Sequence, residues 1–164
     1  TREFVALGQR LKALLNDFQV PLIINDRIDV ALAIQADGLH LGQTDMPYAI
    51  ARQLLGPDKI IGLSVENFEQ IKQANLLDVD YIGISPIFST PTKTNTATPF
   101  GLEGTATAAQ LSTHPTVAIG GIHLDNVEQV MATGVDGVAV VSCICSADDP
   151  ALAAQCLKTK ICPK

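Results

Sequence analysis

The chain has 164 residues, which suits one domain with a substantial core. Hydrophobic residues make up 47% and charged residues 17%, so an intrinsically disordered chain is excluded. The formal net charge of -6 argues against a nucleic-acid partner, because an acidic surface releases no counterions from a polyanion. No apolar run approaches the roughly 20 residues of a membrane span, so no membrane partner is expected either.

The cysteines all lie in the last quarter of the chain, at Cys143, Cys145, Cys156 and Cys162. Their spacing is neither a redox Cys-x-x-Cys motif nor a paired zinc arrangement. We therefore expect reduced thiols and a cytoplasmic location.

Apolar periodicity predicts an amphipathic helix at the start of the chain, over Thr1–Phe18. Its apolar side chains lie near one stripe: Phe4, Leu7, Leu11, Leu14, Leu15 and Phe18.

Short apolar runs then alternate with helical stretches. The predicted strands are Pro21–Ile24, Gly38–Leu41, Ile60–Leu63, Tyr81–Ile84, Thr116–Ile119 and Val138–Val141. The predicted helices between and after them are Arg27–Gln35, Pro47–Leu55, Glu66–Leu76, Leu102–Thr113, Leu124–Thr133 and Asp149–Lys158. Strands without polar alternation are typical of a parallel sheet covered on both faces, so the fold class is α/β. Six strands leave open whether the sheet is open or belongs to an eight-stranded TIM barrel.

Small and polar residues follow these strands, and in a parallel sheet they meet at one edge. Asp26 and Asp45 each follow a strand and precede a helix. Two carboxylates at one edge are what Mg²⁺ shared with substrate phosphates requires. The alternative is that both only cap the helices after them, a role that Pro47 inside the second helix also favours.

The segment Ser85–Leu102 is the longest interruption of the pattern and is rich in hydroxyls, with a single cation, Lys93. It is either a solvated loop or a lid that closes over an anionic substrate. Gly120-Gly121 and Ser142 end two later strands, where barrels often bind phosphate, although tight turns also need glycine. His40, His114 and His123 have no metal-ligand partner at helical spacing, so structural or solvent-exposed roles are expected.

The ordered motifs IINDRIDVAL, DGLHLGQTD, IIGLS, DYIGISPIFSTPTK, GLEG, VAIGGI and GVAVVS closely resemble those of thiamine-phosphate synthase, also called thiamine-phosphate pyrophosphorylase. The resemblance runs from about Pro21 to Pro150. It implies a TIM (β/α)8 barrel, here one domain over residues 1–164. It also implies a transferase that condenses 4-amino-2-methyl-5-(diphosphooxymethyl)pyrimidine with thiazole phosphate, giving thiamine phosphate and pyrophosphate.

The resemblance also implies site residues. Asn25 would contact the pyrimidine, and Asp26 and Asp45 would hold Mg²⁺ on its diphosphate. Ser64 and Lys93 would face the diphosphate as the catalytic pair. The thiazole-phosphate site would comprise Thr90, Thr92, Gly121, Val141 and Ser142.

Two departures from the family pattern stand out. Glu66 replaces a histidine that many members carry, and the Gln-x-Arg-x-Lys segment, expected immediately before Thr1, is absent. The first two barrel strands are therefore expected upstream of the sequence shown, or their pairing is supplied by a second copy in a homo-oligomer. Two other readings stay open: a thiazole tautomerase of the related branch, and a non-catalytic phosphate-ligand binding domain.

Overall fold

The protein is described by a computed structural model over residues 1–89 and 98–162, and the chain divides into two compact units, Thr1–Ser64 and Val65–Lys164. The first unit contains α1 (Arg2–Asp17), β1 (Ile23–Asn25), α2 (Ile28–Ala33), β2 (Gly38–Leu41), α3 (Tyr48–Leu55) and β3 (Ile60–Val65), which ends where the second unit begins. The second contains α4 (Phe68–Ala74), β4 (Tyr81–Ile84), α5 (Gly101–Leu111), β5 (Thr116–Ile119), α6 (Val127–Met131), β6 (Gly137–Ala139), α7 (Ser142–Cys145) and α8 (Pro150–Ile161).

The strands within each unit are parallel. In the first unit β2 pairs with both β1 and β3, and in the second unit β5 pairs with both β4 and β6. Parallel strands joined through helices confirm the predicted α/β, TIM-like fold. A single barrel domain over residues 1–164 stays a prediction.

The N-terminal helix α1 confirms the predicted element, and most of its apolar stripe lies on the exposed side. Phe4, Leu7, Leu11, Leu14 and Phe18 are exposed, at 39–69% of their full surface. The side that packs inward is instead formed by Val5, Gly8, Lys12 and Leu15, which are buried or half-buried. At Gly8 a Cβ atom would lie 2.8 Å from Ile34 Cδ1, so glycine allows α1 to approach this close.

The core of the first unit is aliphatic, with Val30, Leu39, Leu41, Ala51 and Ile61 fully buried among its members. In the second unit the fully buried side chains include Ile71, Ile82, Ile84, Val127 and Val130. Strands that contribute buried residues from consecutive positions are covered on both faces, as expected for a parallel sheet between helices.

Two aspartates bind the amino ends of paired strands in the same way. Asp37 donates its backbone N–H to the carbonyl of Leu22 (3.0 Å), and its carboxylate accepts the Leu22 N–H (2.8 Å). Asp136 repeats both bonds with Thr116, at 3.0 and 2.7 Å, and also accepts the Thr116 hydroxyl. Each aspartate thus fixes the register between its own strand and the neighbouring strand.

The same bonds explain the acidity of the two carboxyl groups. Burial opposes ionisation of Asp37, but hydrogen bonds from Lys12 Nζ and the Leu22 N–H outweigh it, so its pKa lies below its usual value. The pKa of Asp136 is lowered by the backbone N–H of Thr116 and then by the Thr116 hydroxyl. Both carboxylates therefore stabilise the fold in their ionised form.

No helix in residues 1–89 or 98–162 is long and apolar enough to cross a membrane.

The aspartate bonds predict an acid-dependent loss of stability. A carboxyl with a lowered pKa stabilises the fold above its unfolded pKa and loses that contribution as the pH falls through the folded value. We expect Asp136→Asn to lower the free energy of unfolding by about 1 kcal/mol at pH 7, with the difference from wild type shrinking toward acidic pH. Urea unfolding across this pH range measures it, with Asp58→Asn as the exposed control. A difference that stays constant with pH would contradict the assignment.

Candidate active site

The carboxyl end of β1 carries the first two predicted site residues, Asn25 and Asp26. Asn25 ends β1 and lies opposite His40 in the strand register. Asp26 follows with a φ of 61° and donates its backbone N–H to the His40 carbonyl at 2.9 Å. Aspartate and asparagine are among the non-glycine residues that adopt this left-handed conformation most readily. The backbone thus turns sharply at Asp26, which is exposed.

Asp45 is oriented by the loop that precedes it. Its Oδ2 accepts the backbone N–H of Gly42 at 2.6 Å. The N-cap position of α3 is occupied by Pro47 and that of α2 by Arg27. For Asp45, whose carboxylate binds the Gly42 N–H, the predicted alternative of capping α3 is therefore not supported.

The third strand end of this unit places Ser64 beside His40. The His40 Nε2 and the Ser64 Oγ are 2.8 Å apart, and Gln43 Nε2 donates to the Ser64 carbonyl. Sequence alone predicts only a structural or exposed role for His40, and it does not single out Gln43. Both belong to the DGLHLGQTD motif, which was the available signal.

The chemistry of these donors fits a magnesium ion that is shared with a ligand. Mg²⁺ is held by one or two protein carboxylates and completes its octahedron with water and phosphate oxygens. Asp26 and Asp45 provide two carboxylates next to two paired strands. A cluster of three or more acidic, histidine or cysteine ligands does not occur within the described part of the chain. Asp26 and Asp45 would therefore need oxygen ligands from substrate and water to complete an octahedral site.

The second unit has a cavity of about 510 Å³ at the ends of β5 and β6. It is lined by Phe88, Ser89, Gly121, Ile122, His123, Asn126, Ser142 and Cys143. The predicted residues Gly121 and Ser142 therefore share one cavity. Val141 directly precedes Ser142 and is 61% exposed, but it is not among the lining residues. Sequence reasoning did not assign Phe88, His123, Asn126 or Cys143 to this site.

The glycine pair at this cavity needs to be glycine for two reasons. Gly120 and Gly121 have φ values of 104° and 68°, in the region that side chains rarely adopt. A Cβ atom on Gly121 would lie only 2.7 Å from Phe88 Cβ. The backbone of Phe88 is itself fixed, because its N–H donates to the Gly120 carbonyl at 3.1 Å.

The predicted residues Thr90, Thr92 and Lys93 lie outside the described residues. The chain on either side of them is held by two backbone bonds, from Phe100 N–H to the Pro86 carbonyl and from Gly101 N–H to the Ile87 carbonyl, both 3.0 Å. Phe100 also packs edge-on against Phe68, with ring centroids 5.5 Å apart. These contacts hold residues 86 and 87 beside residues 100 and 101.

Parallel strands that alternate with helices and are followed by polar turns define an α/β fold of the TIM-like class. The sequence model described as thiamine monophosphate synthase matches residues 1–144, so the chain belongs to the thiamine monophosphate synthase family of transferases.

Comparisons with individual proteins agree with this assignment. The thiamine-phosphate synthase of Vibrio campbellii is 56% identical over 156 residues, which cover 95% of this chain and 76% of that protein. The thiamine-phosphate synthase of Albidiferax ferrireducens is 53% identical over 161 residues, covering 98% of this chain and 74% of that protein. Among solved structures, the thiamine phosphate pyrophosphorylase of Pyrococcus furiosus superposes with a TM-score of 0.90 at 38% identity, over 98% of this chain and 76% of that one.

The glycine geometry predicts different costs for two alanine substitutions. Gly134 has a φ of 91°, and an added Cβ atom there would meet nothing within 4 Å, whereas Gly121 combines a positive φ with the clash against Phe88. We expect Gly134→Ala to cost about 1 kcal/mol of unfolding free energy, and Gly121→Ala to cost roughly 1–3 kcal/mol more. Chemical denaturation of both variants measures the difference. Equal losses of unfolding free energy in the two variants would show that Phe88 moves aside without any loss of stability.

Proposed function

We propose that this chain acts as a thiamine-phosphate synthase, with a pyrimidine diphosphate and a thiazole phosphate as its substrates and Mg²⁺ as its cofactor. The observation that carries the proposal is the acid pair after β1 and β2 in a chain that belongs to this family. Direct support would come from incubating the protein with both substrates and Mg²⁺ and measuring thiamine phosphate and pyrophosphate in equal amounts.

In this proposal the first unit holds the diphosphate. Asp26 and Asp45 are the metal-binding carboxylates, and the Gly42 N–H keeps the Asp45 side chain in one orientation. Bound Mg²⁺ would supply positive charge to the diphosphate leaving group. Asn25, at the end of β1, contacts the pyrimidine.

Ser64 and Lys93 are proposed to act on the same diphosphate. The hydroxyl of Ser64 is neighboured by the His40 ring, which restricts where it can point. A hydroxyl and an ammonium group donate hydrogen bonds to phosphate oxygens, and the ammonium also offsets their charge. Both groups therefore stabilise a departing diphosphate better than they stabilise a bound ester that carries less charge on its bridging oxygen.

The phosphate of the second substrate is assigned to the cavity of the second unit. Gly121 and Ser142 line it, Val141 adjoins it, and Thr90 and Thr92 are proposed to complete it. None of the described lining residues is a lysine, arginine, aspartate or glutamate. Neutral donors, hydroxyls and backbone N–H groups, would therefore carry most of the recognition there.

The proposed reaction is a dissociative substitution. The bond between the pyrimidine methylene carbon and the diphosphate oxygen breaks, and its electron pair leaves with the diphosphate. The resulting cation is captured by the lone pair of the thiazole nitrogen, which forms the new carbon–nitrogen bond. This route needs no strong base, so the residues act by positioning the two substrates and offsetting charge.

A test of the metal assignment is Asp26→Asn. Asparagine tolerates the same left-handed conformation, so we expect little change in unfolding free energy but at least a hundredfold lower turnover at saturating Mg²⁺. Steady-state kinetics over a Mg²⁺ titration measures it, with Asp58→Asn as the exposed carboxylate control. Near-normal rates for the Asp26 variant would refute the assignment.

A second test addresses Lys93. A cation that acts on the departing diphosphate contributes more in the transition state than in the ground state. Lys93→Ala should therefore lower kcat by more than it raises the KM for the pyrimidine diphosphate. Lys72→Ala, which removes an exposed lysine of α4, is the control. A change confined to KM would assign Lys93 to ground-state binding instead.

A further inference from the structure

Asn126 makes two hydrogen bonds across the glycine turn of the cavity. Its Oδ1 accepts the backbone N–H of His123, and its Nδ2 donates to the carbonyl of Gly121, both at 2.9 Å. Asn126 occupies the N-cap position of α6, yet its side chain makes no capping bond to that helix. The side chain therefore serves the preceding turn rather than the helix.

These two bonds fix the orientation of two successive peptide planes. A trans peptide is planar, with its carbonyl and N–H pointing in opposite directions. Because the Gly121 carbonyl is held toward Asn126, the N–H of the same peptide, which belongs to Ile122, must point away from Asn126. The second bond fixes the following plane through the His123 N–H. Glycines such as Gly120 and Gly121 restrict their backbone dihedral angles less than other residues do. Without the two bonds, these peptide planes could therefore adopt several orientations.

The Ile122 N–H is the donor that this arrangement leaves for a ligand. No residue in the described ranges accepts a hydrogen bond from it, and Ile122 lines the cavity. We propose that Asn126 is a positioning residue of the active site, which holds the glycine turn so that the Ile122 N–H can bind a phosphate monoester. This inference rests on the proposed function, in that the phosphate is assigned to the thiazole substrate.

The charge of the cavity wall also favours this role for Asn126. Among the described lining residues only His123 has a side chain that can carry a positive charge, and that side chain is 55% exposed and lies 3.6 Å from Asp125. Where lysine and arginine are missing, phosphate affinity depends on how well neutral donors are oriented. A misaligned peptide would then weaken binding directly.

The test compares Asn126→Ser with Asn67→Ser. Asn67 is the N-cap of α4 and makes an ordinary capping bond to Gln70 N–H, so it reports on the loss of a cap asparagine as such. Serine caps helices about as well as asparagine, so Asn67→Ser should fold, and Asn126→Ser removes no capping bond from α6. The readouts are the Kd for inorganic phosphate, the KM for each substrate, and the amide NMR signals of Ile122 and His123.

We expect Asn126→Ser to weaken inorganic phosphate binding and to raise the KM for thiazole phosphate by roughly tenfold or more. The KM for the pyrimidine diphosphate should stay within about twofold, the two amide signals should shift, and Asn67→Ser should behave as wild type. Should Asn126→Ser fail to fold, Asn126→Asp is judged by the two amide signals alone: it keeps an acceptor for the His123 N–H, replaces the donor to the Gly121 carbonyl with a repelling oxygen, and adds a negative charge that would itself weaken phosphate binding.

Unchanged phosphate affinity in Asn126→Ser would overturn the proposal, as would weakened affinity without any shift of the amide signals. A wild-type protein that does not bind inorganic phosphate would overturn it too. A wild-type protein that binds phosphate but forms no thiamine phosphate would instead refute the proposed function, and the role of Asn126 would be decided by phosphate binding alone.

Discussion

The register of the parallel strands governs which side chains can meet in each unit. Asp37 and Asp136 set it at the amino ends, where each binds both the N–H and the carbonyl of one residue at the start of the neighbouring strand, Leu22 directly before β1 and Thr116 in β5. A slip by one residue would turn every side chain of a strand to the opposite face. Bonds at the amino ends therefore decide which side chains meet at the carboxyl ends, including Asn25 opposite His40.

The two units have different kinds of group in their proposed binding regions. In the first unit the proposed chemistry belongs to side chains, among them Asp45, which binds the Gly42 N–H, and Asp26, which has a left-handed backbone. In the second unit the proposed binding element is the backbone of the glycine turn, which Asn126 and Phe88 contact. An acidic protein can bind anions in both ways, because neither requires a surface of positive charge.

The amino-acid sequence predicts where the helices and strands lie better than it predicts which of their sides are buried. Strands Gly38–Leu41, Tyr81–Ile84 and Thr116–Ile119 have the predicted bounds, because aliphatic runs between turn residues have few alternatives. The short helix α7 was not predicted, since four residues provide no periodicity. In α1 the apolar stripe was visible, but the inward side was decided by Gly8, whose missing side chain permits close contact with Ile34.

The class of fold, the order of its elements and the family could all be read from the amino-acid sequence, because they follow from apolar patterning and from motifs in a fixed order. The same reading identified Asp26, Asp45, Gly121 and Ser142 as residues at strand ends. What orients such residues became visible only in the folded chain: Gly42 for Asp45, His40 for Ser64, and Asn126 for the turn at Gly121. Such partners depend on φ values and hydrogen bonds between residues brought together by folding, and these leave no periodic trace in a single sequence.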